Sequence, residues 1–167
     1  SYDEIVILYD EISGDNNYIA WYSHEFTHLY NCQYNETASD ALMVLGHFKN
    51  SDTLDIAICY VSHEIRTYDG TDGTQYFTQN YATTITELAA ADTNGNGIDS
   101  LVTNVNDGRV LVWPANLGEG AYITADYSSG TVLDISIGDV YLNDSREELL
   151  VSVAGIGIDV YDHGNSI

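Results

Sequence analysis

Positive charge is nearly missing from this chain. Lys and Arg together number 4 against 26 Asp and Glu in 167 residues, a formal net charge of −22 at neutral pH. A surface this acidic repels phosphate backbones and anionic lipid headgroups, so neither nucleic acid nor a membrane surface is expected as a partner. It suits cations, and its plainest meaning is a solvated acidic exterior. Proline and methionine occur once each. No stretch is long and apolar enough to span a bilayer, which argues against membrane insertion. The sequence does not begin with Met and shows no signal peptide; the expectation is a processed chain or a piece of a larger one. Cysteine is scarce too. Cys32 and Cys59 allow one disulfide in an oxidising compartment and equally two buried thiols.

Hydrophobic residues make up 44 %, enough for one domain with a real core. Tyrosine and glycine are abundant, at 14 each. Tyr and Thr favour strands, while Gly and Asn favour turns. The chain also repeats itself. "MVLGHFKNSDTLDIAICYV", "LAAADTNGNGIDSLVTNV" and "ISIGDVYLNDSREELLVSV" each read apolar strand, polar loop, apolar strand. Each is followed by a short strand ending in an aromatic: Tyr68, Trp113 and Tyr161. From Ile56, Leu101 and Leu149 that aromatic is twelve residues away every time. A fourth strand follows in two units, in register on Tyr81 and Tyr127. A unit of four short strands, about 45 to 48 residues long, has the length and strand count of a β-propeller blade. The fold class is therefore all-β: a propeller, or a propeller segment, of about four four-stranded antiparallel blades. The units are expected at 1–37 (incomplete), 38–84, 85–131 and 132–167 (incomplete), as one domain over 1–167. "DEIVIL" of the first unit aligns with "LDIAIC" and "EELLVS", so the chain begins at a second strand. It is expected to end after a third.

The alignment bears on one conspicuous motif. His24-Glu25-Phe26-Thr27-His28 is an H-E-x-x-H, which on a helix places two imidazoles to hold zinc beside a general base. Here it falls on a turn and the start of a strand, where H-x-x-x-H does not converge. A zinc metalloprotease built on His24, Glu25 and His28 remains the enzymatic alternative. A carbohydrate-binding propeller with tyrosines stacked on sugars is the other. No nucleophile–base pair stands out, so the chain is read as not an enzyme.

"DTNGNGIDS" is the more informative stretch. Asp92, Asn94, Asn96, the Ile98 carbonyl and Ser100 offer oxygen at alternate positions, the spacing of a loop that wraps calcium. Gly95 and Gly97 permit the positive φ that such a wrap needs. A strand, then D-x-[DN]-x-[DN]-G-x-x-[DS], then a second strand, repeated along the chain, resembles the FG-GAP repeats of integrin α-subunit propellers and their microbial relatives. The resemblance implies a calcium cofactor held between the first and second strands of the blade by those five residues. Ser100 stands where that family usually has Asp. In the second unit the same positions read His47, Lys49, Ser51, Thr53 and Asp55, and the Lys49 ammonium is expected to pair with Asp55 in place of a cation. In the fourth unit Asp139, Asn143, Glu147 and Glu148 form a weaker candidate set. The resemblance further implies an extracellular or cell-surface module for binding and assembly, part of an adhesin or filament. Its partners would be other protein chains, copies of itself through open sheet edges, or glycans. Cys32 and Cys59 are expected to form a disulfide between adjacent units. Asn35 and Asn143 head N-glycosylation sequons.

Overall fold

A computed structural model describes residues 5–10, 17–22, 28–34, 41–49, 54–60, 63–114, 121–127, 131–140, 146–162 and 165–166. Among them the chain forms fifteen β-strands and no helix. The first sheet holds β1 (Ile5–Asp10), β2 (Asn17–Tyr22) and β3 (His28–Tyr34). The second holds β4 (Leu42–Gly46), β5 (Asp55–Tyr60), β6 (Glu64–Tyr68) and β7 (Gln75–Asn80). The third holds β8 (Ile85–Ala91), β9 (Ser100–Val105), β10 (Arg109–Trp113) and β11 (Tyr122–Asp126). The fourth holds β12 (Val132–Gly138), β13 (Glu148–Val153), β14 (Gly157–Asp162) and β15 (Asn165–Ser166). Within each sheet, strands lie side by side in chain order and antiparallel. The two-residue β15 pairs with Tyr161 and Asp162, so the last sheet carries the start of a fourth strand where the sequence reading stopped at three.

The twelve-residue spacing is hairpin register. Ile56 pairs with Tyr68, Leu101 with Trp113 and Leu149 with Tyr161, each across the second and third strands of a sheet. All six residues are buried. Side chains alternate faces along a strand, and here both faces are used. Ala57, Cys59 and Ile65 of the second sheet pack against Leu101, Leu111 and Trp113 of the third. The opposite face of the second sheet, Ile56, Ile58 and Tyr68, packs on Ile19 and Val6 of the first. Val102, Val110 and Val112 of the third sheet meet Leu149, Val151 and Tyr161 of the fourth. Among the described residues the core is thus three layers between consecutive sheets. A strand covered on both sides reads as an unbroken buried run, and β9 is buried at all six positions. The outer strand β7 is mostly exposed.

The fit between sheets is tight at the ends of the first strands. A Cβ added at Gly46 would lie 2.8 Å from the Ala90 methyl of the third sheet and 2.8 Å from Phe48 Cζ. Gly138 holds the same register in the last sheet, opposite Glu148 as Gly46 is opposite Asp55. A Cβ there meets nothing within 4 Å. Gly46→Ala is therefore expected to destabilise the chain by roughly 1–3 kcal/mol through overpacking, and Gly138→Ala to change little. Urea unfolding of the two variants, with equal m-values, checks the contrast.

Candidate functional site

The loop from Asp92 to Ser100 joins β8 to β9, and its Asp92, Asn94 and Asn96 side chains bond the loop's own backbone amides. Both Asp92 carboxylate oxygens accept backbone amides: Oδ1 from Asn96 N at 3.0 Å and Oδ2 from Gly97 N at 2.7 Å. Asn94 Oδ1 also accepts from Asn96 N at 3.0 Å, and Asn96 Oδ1 accepts from Ile98 N at 2.8 Å. Gly95 and Gly97 sit at φ 72° and 80°, the left-handed conformation that lets successive amides point at these oxygens. Three of the five expected donors are thus gathered on one turn. The Ser100 hydroxyl is buried and shares a 3.3 Å hydrogen bond with the Thr93 hydroxyl. One carboxylate, two amide oxygens, a hydroxyl and a main-chain carbonyl form an all-oxygen set, the kind a hard cation such as calcium prefers. Among the described residues no cluster of three or more His, Cys, Asp or Glu is placed to hold a metal ion.

A second device, absent from the sequence reading, ties each loop to the next sheet. Asp99, just before β9, accepts from His47 N through Oδ2 at 2.7 Å, and Asp99 N donates to the His47 carbonyl at 2.9 Å. Glu147, just before β13, repeats this on the third sheet. Its Oε2 accepts from Asp92 N at 2.9 Å, and its own N–H donates to the Asp92 carbonyl at 3.1 Å. His47 and Asp92 are each the first residue after a first strand. An acid before one sheet's second strand thus clasps the loop of the sheet before it. The clasp also brings a second carboxylate, that of Glu147, to the start of the Asp92 loop.

These contacts correct one expectation. The Lys49 ammonium does not pair with Asp55. It bonds Asp69 Oδ2 at 2.7 Å and lies 4.0 Å over the Tyr76 ring, and it holds the Asp69 carboxyl below the usual range. Asp55 is instead a buried brace. It accepts from Lys49 N (3.0 Å), Gly70 N (3.2 Å) and the Tyr76 hydroxyl (3.2 Å), joining two loops and the outer strand. Burial pushes its carboxyl above the ordinary value. In the fourth-unit set, two acids have backbone partners. Glu147 is committed to Asp92, and the buried Glu148 accepts from Val140 N at 2.7 Å. Asp139 is exposed. Asn143 lies outside the described residues, as does Asn35.

His28 opens β3, opposite Tyr22, so it is extended; His24 and Glu25 lie outside the described residues. Cys59 packs in the layer between the second and third sheets, and burial pushes its thiol up to about 12. Cys32 belongs to the first sheet, which meets the opposite face of β5. The alternation of β5 places Cys59 on the face that meets the third sheet, and the Cys32 side chain lies outside the described residues. Tyr68 and Tyr161 are buried. Tyr81 packs edge-on against Trp113, and Tyr127 donates to Asp159 at 2.6 Å and shares a 2.5 Å bond with the Tyr161 hydroxyl. These repeat-equivalent tyrosines join adjoining sheets.

Glu87 and Asn104 place a polar pair between the third and fourth sheets. Glu87 Oε2 accepts from Asn104 Nδ2 at 3.3 Å and from Ile135 N, across the junction, at 3.0 Å. Burial, with the nearby Asp134 charge adding to it, raises the Glu87 carboxyl above its ordinary value. A carboxyl whose folded value is raised holds its proton longer folded than unfolded. Its contribution to stability therefore falls as pH rises from the ordinary glutamate range through the raised value. Glu87→Gln is expected to remove that part of the slope, seen as a flatter melting temperature between mildly acidic and neutral pH. The clasp has its own test. Asp99→Ala strips the acceptor from His47 N and is expected to cost about 1–3 kcal/mol. Glu147→Ala should cost a similar amount, and chemical denaturation of both variants measures it.

No protein-family model matches the sequence, and no curated protein does. Solved structures do match in fold. BBS1N in complex with ARL6DN, from a crystal soaked with lead, superposes with a TM-score of 0.60 at 13 % identity, over 93 % of this chain and 46 % of that one. The same complex soaked with mercury gives 0.58 at 12 % identity, over 93 % and 49 %. Sqt1 of Saccharomyces cerevisiae gives 0.59 at 15 %, over 89 % and 42 %. The chain spans about half the length of each. All are β-propeller-type folds, and the four sheets described above form a partial propeller of the same type.

Proposed function

We propose that this chain is a propeller segment of FG-GAP type that binds other proteins and carries a structural calcium ion in the Asp92–Ser100 loop. An extracellular or cell-surface setting suits both the acidic surface and millimolar-range calcium. The observation that carries the reading is the loop: three side chains whose oxygens gather on one turn with a left-handed Gly95/Gly97 backbone, between the first and second strands of a sheet. The fold supports a protein-interaction module, and BBS1N, one of the matching propellers, is seen in complex with a second protein. Nothing in the described geometry pairs a nucleophile with a base. Bound calcium would supply a fixed positive charge that holds the Asp92, Asn94 and Asn96 oxygens against one another. Asp92, Asn94, Asn96, Ile98 through its carbonyl, and Ser100 would hold it, with Glu147 adding negative charge beside them.

A ligand that binds only the folded state at a hundred times its Kd adds about 2.7 kcal/mol, which is several degrees in a chain of this size. Saturating calcium is expected to raise the melting temperature by that order over chelator. Asp92→Asn keeps an acceptor for the loop amides but removes the carboxylate charge, and it should abolish most of the calcium-dependent shift. Equal melting of the parent chain in calcium and in chelator would refute the site.

A further inference from the structure

The junction between the third and fourth sheets differs from the one before it at a single register position. In the second sheet, Leu42 pairs with Cys59, and both belong to the apolar layer against the third sheet. Glu87 and Asn104 are the same cross-strand pair one sheet later; Ala91 opposite Ser100 and Gly46 opposite Asp55 fix the correspondence. A carboxyl and an amide thus stand where a leucine and a thiol pack in the preceding sheet. Asn104 is 4 % exposed, and its Oδ1 has no hydrogen-bond partner among the described residues. Its amide nitrogen already donates to Glu87 Oε2, which also accepts from Ile135 N. A buried acceptor left unbonded carries a desolvation cost that the apolar pair avoids. Both residues line a cavity of about 160 Å³, walled further by Val105, Val132 and Leu133. The strands are irregular there. The register shifts between Ile85 and Glu87 on β8 and between Val132 and Asp134 on β12, so Thr86 and Leu133 are extra residues, both exposed and both lining the cavity. The pairing of β4 with β5 has no such bulge. Bulges concentrate beside functional sites because they re-aim side chains.

We infer that this cavity binds an organic cation through its N–H groups: a primary ammonium or guanidinium head on a short methylene stem. What the pair leaves open is an acceptor oxygen and negative charge. Asn104 Oδ1 calls for a donor, the Glu87 carboxylate supplies the charge, and the exposed Asp134 lies close enough to act on Glu87 electrostatically. Among the described residues no Lys or Arg lines the cavity, so its own wall provides no counter-charge. An anion would be repelled, and a neutral hydroxyl ligand would leave the carboxylate unpaired; an N–H cation answers both groups at once with charge-assisted hydrogen bonds. Size sets the rest. The cavity falls below the roughly 300–1,000 Å³ that drug-sized ligands occupy, so it takes a head group of a few atoms. Val105, Val132 and Leu133 form an apolar wall for methylenes, which long cationic chains bury while keeping the charged end on polar partners. A bare calcium ion suits it less, because that ion needs six or more oxygens and three of these walls are hydrocarbon. The cavity lies by the start of β8, whereas the Asp92–Ser100 loop follows its end, so the inference stands or falls apart from calcium.

Titration of the full chain with butylammonium, followed by NMR, tests it. Chelator keeps the Asp92 loop out of the measurement, and mildly alkaline buffer keeps Glu87 ionised. The Asn104 side-chain amide and the Ile135 N–H are expected to shift saturably at millimolar ligand. Tetramethylammonium has the same charge and no N–H donor, and it should shift neither. Glu87→Gln keeps the shape and removes the charge, and it is expected to weaken butylammonium binding by about tenfold. Glu87→Leu combined with Asn104→Cys installs the pair found one sheet earlier; that variant should melt no lower than the parent and bind no butylammonium. Nα-acetyl-lysine amide separates two sources of the head group. Binding as tight as that of butylammonium assigns the site to a basic side chain of a protein partner, and weaker binding assigns it to a free amine. Absence of a saturable shift overturns the inference, as does an equal response to tetramethylammonium or unchanged binding by Glu87→Gln. A double variant that melts well below the parent would make the pair a structural brace and overturn it too.

Discussion

Everything in this fold hangs on one sheet lying face to face on the next. An isolated hairpin is marginally stable at best in water, and the described core is made of junctions between consecutive sheets. Burying an isoleucine or valine on such a junction stabilises it by about 1.5–3 kcal/mol, and each layer holds several. Because the middle sheets are covered on both faces, their second strands cannot alternate apolar and polar. Ser100–Val105 is buried throughout, and the Thr103 hydroxyl is satisfied within the layer by the Trp113 indole N–H at 3.3 Å.

Apolar layers alone would let sheets slide. The polar contacts set the register. Asp99 on His47 and Glu147 on Asp92 each exchange two hydrogen bonds with a fixed backbone residue, and a two-point contact of that kind holds one position. Asp55 plays a related part within its own sheet, joining Lys49 N, Gly70 N and the Tyr76 hydroxyl. Burial raises the Asp55 and Glu87 carboxyls above their ordinary values, because it disfavours the charged form. Such groups contribute specificity of alignment more than net stability. The arrangement also couples packing to the cation loop. Asp92 presents its side chain to that loop and its backbone to the next sheet, so docking the fourth sheet orders the residue on which the loop is wound.

Much of the architecture could be read from residues alone. The twelve-residue interval from Ile56 to Tyr68, Leu101 to Trp113 and Leu149 to Tyr161 is a cross-strand pair, and a pair is a local property of a hairpin. The interval therefore survives in sequence wherever the hairpin survives. The Asp92–Ser100 turn was legible for the same reason, since its donors lie within nine residues and two glycines mark its backbone. The H-E-x-x-H stretch was placed off a helix because it aligned with turns, and His28 does open a strand.

What the sequence could not disclose are contacts between residues some fifty positions apart. Asp99 looked like an ordinary acid in a chain that has 26 acidic residues, and Glu147 like a member of its own loop; only the stacking of sheets shows that each belongs to the loop before it. A shorter separation, twenty positions, hid the partner of Lys49, whose ammonium reaches Asp69 after the third strand. Strand pairing repeats with short-range spacing and leaves a period in the chain. The side of a strand that meets a neighbour, and the neighbour it meets, depend on how whole sheets pack, and that was decided only in the tertiary structure.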